Sequence, residues 1–327
     1  MSPSGLLYSL PPVGRVALRL DAHRDARVTP LLSARRGAAR AVREALDTLR
    51  ETADDDAAST VQRHARELLA ELRDDTPPGP GLRAAHGLDA RLRSEAVELL
   101  DRDDFPEVLK APTMLGLHWV NVALGAYPAW SRCVDETLGD KAHARLYDLA
   151  AGTGGFARWL ARHPPRGRRL DVTSSDRDAR YVAAGARAAD RDRSAVRFEA
   201  RDALDLRALR AARSVDLFLC TQAVHHLHPG QVVQMTAQCI AAAPGGLLAI
   251  DLNRSIAAAA GAAALVGAVA PWPVLVYDGV LSARRAYTPA ELRLLALLAG
   301  ATHVDARPLG PGHLRLHAHG DGDAPHF

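Results

Sequence analysis

Three acidic residues each follow an apolar run that predicts a β-strand. Asp148 ends the first run, Asp176 follows the second and Asp202 follows the third. If the strands are parallel, their carboxyl ends meet at one edge of a sheet, where open α/β sheets bind ligands. A carboxylate past the second strand is suited to both hydroxyls of a ribose, and Asp202 to an adenine amino group. Taken singly, each acid also fits a helix cap or a solvated side chain.

A glycine-rich turn follows the first of these acids. The stretch Leu146–Leu160 reads LYDLAAGTGGFARWL, which predicts a strand, a turn at Gly152, Gly154 and Gly155, and a helix. Glycines let the backbone approach a ligand closely, and the helix N-terminus offers unpaired N–H groups. By itself this pattern also fits the pyrophosphate of NAD, or a tight turn that holds no ligand.

Two adjacent histidines are candidate proton-transfer groups. They lie in the stretch VDLFLCTQAVHHL, Val215–Leu227, where a buried strand opens into a polar loop at the predicted binding edge. An imidazole titrates at about pH 6.5, so His225 or His226 is the candidate general base. The alternative is that the pair only shapes the loop.

The alternation of apolar runs and helical stretches from Arg145 onwards predicts the fold that positions these residues. Repeated strand–helix units predict an α/β fold with a Rossmann-like, doubly wound, mostly parallel sheet. The predicted strands are Arg145–Ala150, Arg169–Thr173, Ala195–Glu199, Val215–Cys220, Leu247–Asp251, Thr302–Arg307 and His313–His317. The predicted helices among them are Gly154–Arg162, Asp178–Ala189, Pro229–Ala242 and Pro289–Ala299. Only PLGPG separates the last two strands, which predicts a C-terminal antiparallel hairpin.

The first part of the chain has a different pattern, and we expect an α-helical N-terminal accessory region over residues 1–110 and a second domain over 111–327. Apolar residues at helical spacing predict helices at Ser33–Thr52, Ala57–Arg73, Leu82–Leu100 and Thr113–Ala129. The stretch DDTPPGPG at Asp74–Gly81 predicts an exposed linker.

These motifs resemble those of the class I S-adenosylmethionine-dependent methyltransferases, and most of all bacterial small-molecule enzymes of the ubiquinone/menaquinone-biosynthesis type. The resemblance covers roughly Thr113–Leu316. It rests on DLAAGTGG, Asp176, RDAL, DLFLCTQAVHHLHPG, APGGLLAIDL and YDGVLSARRAYTPAELRLLALLAG. It implies S-adenosyl-L-methionine as the cofactor, and transfer of its methyl group to an O, N or C atom of a small hydrophobic or aromatic molecule.

The resemblance also implies a role for each cofactor-binding residue. Asp148 and the glycine turn would hold the methionine end, Asp176 the ribose, and Asp202 the adenine. The full predicted set is Asp148, Ala150, Gly152, Thr153, Gly154, Asp176, Arg177, Asp202, Ala203, Thr221 and Gln222. Ala150 departs from the family pattern because it stands where the first glycine usually lies, which puts close backbone approach in doubt at that position alone.

Five residues are candidates for contact with the methyl acceptor. If the predicted helix at Thr113–Ala129 covers the cleft, its polar and aromatic side chains would face the acceptor, together with two residues near position 286. The candidates are Trp119, Asn121, Tyr127, Arg285 and Tyr287. The alternatives are that the aromatic residues belong to the core, and that the arginine is solvated beside a capped helix.

Composition narrows the class of protein. The 41 Lys and Arg against 38 Asp and Glu leave a net charge of +3, and no basic tract predicts a nucleic-acid partner. The dispersed Cys133, Cys220 and Cys239 predict neither a metal site nor a disulfide framework, and favour the cytoplasm. The uncharged segment Ser255–Tyr277 is long enough to span a membrane, but its Ala, Gly and Pro content favours a buried or interfacial helix.

Three alternative functions remain open from the sequence. A nucleic-acid methyltransferase would share the cofactor site, but no NPPY-type motif follows the fourth strand. A NAD-dependent oxidoreductase would share the glycine turn. A non-catalytic cofactor-binding or interaction module would keep the three acids without turnover.

Overall fold

Seven strands form one mixed sheet in the computed structural model, which describes residues 12–102, 104–254, 273–310 and 312–321. The strands are β1 His143–Leu149, β2 Arg169–Asp176, β3 Arg197–Ala200, β4 Leu217–Thr221, β5 Leu247–Leu252, β6 His303–Pro308 and β7 His313–His319. Their order is β3-β2-β1-β4-β5-β7-β6. Strands β1 to β5 pair in parallel, and β7 is antiparallel to both β5 and β6. The predicted doubly wound sheet with its C-terminal hairpin is therefore confirmed.

The central strands are buried on both faces. In β4 the sequence LFLC is fully buried, as is LLAID in β5. Continuous apolar runs of this kind are typical of parallel strands that helices cover on both sides. Each strand begins within two residues of its predicted start, and for the central strands this apolar pattern explains the agreement.

Helices occupy most of the remaining described chain. They are α1 Pro12–Ala34, α2 Arg36–Glu51, α3 Asp55–Asp74, α4 Pro80–Leu92, α5 Glu107–Ala123, α6 Ala126–Leu138, α7 Gly155–Arg162, α8 Ala179–Asp192, α9 Arg207–Ala212, α10 Pro229–Ala242, α11 Pro273–Arg285 and α12 Pro289–Leu298. None of the helices in the described part of the chain is both long and apolar enough to cross a bilayer. Most of the uncharged segment Ser255–Tyr277, namely residues 255–272, lies outside that part.

Two predicted helices differ from those observed. The helix expected at Leu82–Leu100 ends at Leu92, because Arg93 leaves the helical backbone with a ψ of 139° and the Leu92 carbonyl accepts from Arg284 Nε at 2.9 Å. Further on, the Asp278 carboxylate accepts hydrogen bonds from the main-chain N–H groups of Leu99 and Leu100. The helix expected at Thr113–Ala129 is two helices, α5 and α6, which Gly125 separates with a φ of 65°. Helix α1 lies almost entirely before Ser33–Thr52, the first helix that was predicted.

The N-terminal helices pack directly against the helices that cover the sheet. Leu46 of α2 and Leu68 of α3 share one apolar core with Val233 of α10. The approach of α3 to α10 is so close that a Cβ at Gly230 would lie 2.3 Å from Cα of Gln62. The division at residue 110 stays a prediction, but the two regions bury a common surface.

A buried network of arginines and carboxylates connects these helices to the end of β5. Arg254, two residues past β5, donates from Nε to Asp89 of α4 at 2.8 Å and from Nη2 to Glu291 of α12. Arg24 of α1 donates to Asp89 at 2.8 Å, and Arg73 of α3 to Glu291 at 2.8 Å. These five residues form what we term the arginine network. Burial alone raises the pKa of Glu291, but Arg254 and Arg73 outweigh it and hold that pKa well below its usual range.

We expect Glu291→Gln to lower the free energy of unfolding by about 3–5 kcal/mol, because it leaves two buried arginines short of a counter-charge. The wild type should lose the same stabilisation as the pH falls below about 4.5, where the unfolded carboxylate protonates. Urea denaturation measures both effects. The control is Glu44→Gln, in the exposed Arg40–Glu44 pair of α2, which should leave stability unchanged; equal effects would contradict a structural role for the network.

Candidate functional site

The glycine turn between β1 and α7 adopts a left-handed backbone at three positions. Ala150, Gly152 and Gly154 have φ values of 48°, 55° and 64°. A Cβ at Gly154 would lie 2.7 Å from both Phe198 Cε1 and Ser174 Oγ, so only glycine fits there. An alanine at a positive φ is strained, and strain of this kind concentrates at functional sites.

Asp176, at the end of β2, fixes the turn from the neighbouring strand. Its carboxylate accepts hydrogen bonds from the N–H groups of Gly152 at 2.8 Å and Asp178 at 2.9 Å. An ionised carboxylate has about four acceptor positions, so it can still accept from two further hydroxyls. Burial raises the pKa of Asp176. With Arg177 it lines the cavity described below.

Asp148, at the end of β1, is a buried carboxylate without full compensation. Its Oδ1 has no hydrogen-bond partner among the described residues. Burial, and secondly the charge of Asp176, raises the pKa of Asp148 to about 7. A buried carboxylate oxygen without a donor is a suitable partner for a cationic group of a ligand.

The ends of β3 and β4 lie on either side of the β2–β1 pair and contribute further residues. Asp202 is exposed, its Oδ1 accepts from the Leu204 N–H at 2.8 Å, and it lines the cavity with the buried Ala203. At the end of β4, Gln222 has a φ of 53° and its Oε1 accepts from Asn121 Nδ2 at 2.8 Å.

A histidine–carboxylate cluster lies in the loop after β4 and consists of Glu98, Asp101, His225, His226 and Asp251. The Nδ1 atom of His225 lies 2.7 Å from Asp251 Oδ1, and that of His226 lies 2.6 Å from Asp101 Oδ2. Both Nε2 atoms face the buried Glu98, at 3.5 and 3.7 Å. Burial lowers the pKa of His226, but its hydrogen bond to Asp101 and the charge of Glu98 outweigh burial, so that this pKa is raised.

One cavity of about 1840 Å³ runs along the carboxyl edge of the sheet and joins these groups. Residues of the glycine turn, Asp176, Asp202 and both histidines line it. Its apolar wall comes from helices α4, α5 and α11 and from the segment before α5; its members include Leu88, Leu92, Leu100, Leu117, Val120 and Leu275. The site therefore combines polar groups at the sheet with an apolar wall opposite.

The structure brings most predicted site residues together but separates three. Asn121 and Arg285 line the cavity. Trp119 is 67% exposed, whereas Tyr127 packs in the core against Trp130, so the expectation that both face the acceptor does not agree with their positions. Tyr287 is also buried, and its hydroxyl donates to the Leu227 carbonyl at 2.8 Å.

Other predicted cofactor residues support the turn from behind or border it. Thr153 is buried within the turn, and Thr221 ends β4 directly before Gln222. Neither is among the residues that line the cavity in the described part of the chain.

Sequence reasoning missed three members of the histidine–carboxylate cluster. Asp251 lies at the end of β5, so the rule applied to the acids after β1, β2 and β3 would have found it. Glu98 and Asp101 carry no such signal, because Glu98 lies in a segment that was predicted to be helical, Asp101 directly follows that segment, and both reach the site only through the fold.

Residues 146–246, which span β1 to the start of β5, match the family model described as a methyltransferase domain. The chain contains a methyltransferase domain. The match includes the glycine turn, Asp176, Asp202 and both histidines of the cluster.

Solved methyltransferases are similar to this chain at low identity. An S-adenosylmethionine-dependent methyltransferase from Aquifex aeolicus has 16% identity and a TM-score of 0.41, over 57% of this chain and 88% of that one. An O-methyltransferase family protein from Burkholderia thailandensis has 16% identity and a TM-score of 0.48, over 84% and 74%. The CurJ carbon methyltransferase has 14% identity and a TM-score of 0.47, over 93% and 99%. No curated protein matches the sequence.

The raised pKa of Asp148 gives the methyltransferase domain a distinctive pH dependence. In the unfolded chain this carboxyl ionises at about pH 4, whereas in the folded chain it ionises at about pH 7. Between these two pH values the unfolded chain gains the more favourable charged form, so the folded chain loses stability as the pH rises. We therefore expect the wild type to lose about 2–3 kcal/mol of stability between pH 5 and pH 8 that Asp148→Asn retains. Urea denaturation at both pH values measures the difference.

The control for this prediction is Asp190→Asn on the exposed face of α8. It should follow the wild type at both pH values. If Asp148→Asn also follows the wild type, the pKa of Asp148 in the folded chain is not raised to about 7.

Proposed function

We propose that the chain transfers the methyl group of S-adenosylmethionine to an O, N or C atom of a small, hydrophobic molecule that binds in the same cavity. The observation that carries this proposal is that the glycine turn, Asp176, Asp202 and the histidine pair all line one cavity, with the buried Asp148 directly before the turn. The residues that would bind the cofactor lie at one part of that cavity, and the two histidines that could transfer a proton lie at another.

The residues present fit the cofactor at three points. The unpartnered Oδ1 of Asp148 would bind the cationic amino group of the methionine end, beside the glycine turn. The remaining acceptor positions of Asp176 would take the ribose hydroxyls. Asp202 and the main chain of Ala203 would hold the adenine, since both line the cavity past β3.

The cofactor supplies a methyl group that its positive sulfur makes reactive. The task of the chain is then to align the acceptor, to exclude water and to accept a proton where the acceptor carries one. Alignment of two bound reactants lowers a barrier by about 7–11 kcal/mol in favourable cases. Gln222 after β4 and Asn121 of α5 both line the cavity and are joined by a hydrogen bond, and they would border the reacting groups.

The size and wall of the cavity support a hydrophobic acceptor. Ligand pockets usually measure about 300–1,000 Å³, so a cavity of about 1840 Å³ has room for a cofactor and a second molecule together. Most of the wall opposite the strand ends is aliphatic. A nucleic-acid acceptor is disfavoured, because phosphate binding needs a dense set of basic side chains.

The histidine pair lies where an acceptor proton would be removed. His225 and His226 line the cavity, and Asp251 and Asp101 orient their rings. Such orientation is typical of a general base. The three cysteines are free and buried, which supports a reducing compartment, and we propose the cytoplasm.

The first test of this function is calorimetric titration of S-adenosylhomocysteine. We expect Asp176→Ala to bind about 10- to 100-fold more weakly than the wild type, since hydrogen bonds to a charged group contribute about 1.5–3 kcal/mol. The control is Asp171→Ala, at the other end of the same strand, where Asp171 pairs with His143. No wild-type binding would overturn the proposed cofactor site.

The second test examines turnover. Wild-type protein incubated with methyl-labelled cofactor and a hydrophobic cell extract should yield a labelled small molecule detectable by mass spectrometry. His225→Gln should lower the rate of labelling by about 10²–10⁴-fold, while affinity for S-adenosylhomocysteine stays within about twofold. Labelled RNA instead of a small molecule would contradict the proposed acceptor, and normal binding without any labelled product would favour a non-catalytic module.

A further inference from the structure

Three groups of the histidine–carboxylate cluster converge on one point beside the cavity. His225 Nε2 lies 3.5 Å from Glu98 Oε1, and His226 Nε2 lies 3.7 Å from Glu98 Oε2. The three donor atoms all lie within 4.8 Å of one another. These separations exceed the usual 2.7–3.2 Å of an N–H···O hydrogen bond, so hydrogen bonding among the three groups does not account for their arrangement.

The partner of each Nδ1 atom determines whether the Nε2 atom of the same ring carries a hydrogen. Asp251 lies 2.7 Å from Nδ1 of His225, and Asp101 lies 2.6 Å from Nδ1 of His226. A carboxylate accepts, so each Nδ1 carries a hydrogen, and in a neutral imidazole Nε2 is then a lone pair. With His226 protonated, its Nε2–H faces Glu98 as an ion pair. With both rings neutral, two lone pairs and a carboxylate face each other, and a cation bound between them compensates the repulsion.

The same arrangement is what a metal ion requires. Ligands placed about 2.0–2.2 Å from a tetrahedral ion are roughly 3.3–3.6 Å apart, close to the two separations observed. Histidine ligands commonly donate their second ring N–H to a carboxylate, which fixes the ring and strengthens the ligand. Both His225 and His226 do so here, through Asp251 and Asp101.

The surrounding charge also favours a cation. The cluster holds the carboxylates of Glu98, Asp101 and Asp251, and Arg285 approaches Asp101 at 3.8 Å. The hydroxyl of Ser282 donates to Glu98 Oε1 at 2.8 Å and fixes its orientation. With neutral imidazoles, one arginine leaves an excess of negative charge, which a divalent ion would compensate.

We propose that Glu98, His225 and His226 bind a divalent transition-metal ion at the wall of the acceptor cavity, with Asp251 and Asp101 as positioning residues. Two imidazoles and a carboxylate suit zinc, manganese or ferrous iron. With a bound ion, the histidine pair has a different role in the proposed function: the histidines hold the ion, and the ion, instead of an imidazole, acts on the acceptor. No metal site was predicted from the sequence. Glu98 is far along the chain from both histidines, and the three cysteines that were considered as metal ligands are not part of the cluster.

Three protein ligands leave a coordination position open, and both histidines line the cavity. An acceptor with a hydroxyl group would bind the ion there through its oxygen. The ion stabilises the oxyanion, so the O–H bond breaks more readily and its proton passes to solvent. The proposal thus favours oxygen as the methylated atom, and it rests on the proposed function only for this step.

The test is metal binding by the full-length protein. After dialysis against EDTA and removal of the chelator, Zn²⁺ and Mn²⁺ are titrated separately by calorimetry, and metal content is measured by plasma mass spectrometry after gel filtration. We expect one ion per chain with micromolar or tighter affinity. Glu98→Gln and His226→Ala should weaken binding by at least 100-fold, and Asp101→Asn by about 10- to 100-fold.

A matched control is His143→Ala, which removes an exposed histidine whose Nε2 lies 2.8 Å from Asp171 at the opposite edge of the sheet. It should bind metal as the wild type does. S-adenosylhomocysteine affinity within about twofold of wild type in every variant reports an intact fold and keeps this test separate from that of the cofactor site. Less than one ion per wild-type chain, or equal binding by Glu98→Gln, His226→Ala and wild type, would overturn the metal site.

Discussion

The position of Arg254 constrains the molecule more than any other single interaction. A fully buried guanidinium must have its charge and its N–H groups compensated, and Asp89 and Glu291 supply both. These carboxylates belong to helices far apart in sequence, and each also binds a second arginine from the N-terminal helices. The cost of leaving any member unpaired forces the N-terminal helices, α12 and the end of β5 into one arrangement.

That arrangement decides the shape of the site. Helix α4 carries Asp89 and contributes part of the apolar wall of the cavity, and the segment after it leads to Glu98. Asp251 is the next-to-last residue of β5, and Asn253 and Arg254 directly follow the strand. The network is therefore connected through short lengths of chain to both sides of the histidine–carboxylate cluster, and the helices before residue 110 complete a site whose strand-end residues all come later.

The cofactor end of the cavity shows a different compromise, between stability and binding. Asp148 keeps a carboxylate oxygen buried without a donor, and Ala150 adopts a backbone conformation that favours glycine. Both features destabilise the free chain, and a ligand that donates to Asp148 would recover part of that free energy. Groups that are unsatisfied until a ligand arrives are common in binding sites, since they contribute affinity at the expense of stability.

The sequence by itself determined the sheet, its hairpin and the ligand edge, because apolar periodicity and glycine turns are local signals. It also predicted that Asp148, Asp176, Asp202 and both histidines lie at that edge, since the carboxyl ends of parallel strands meet at one edge of a sheet. Only the tertiary structure decided that Glu98 joins that edge and that Tyr127 belongs to the core. The physical reason is that both outcomes depend on which distant helices pack together, and that choice depends on pairing buried charges and filling a common core, neither of which has a local pattern.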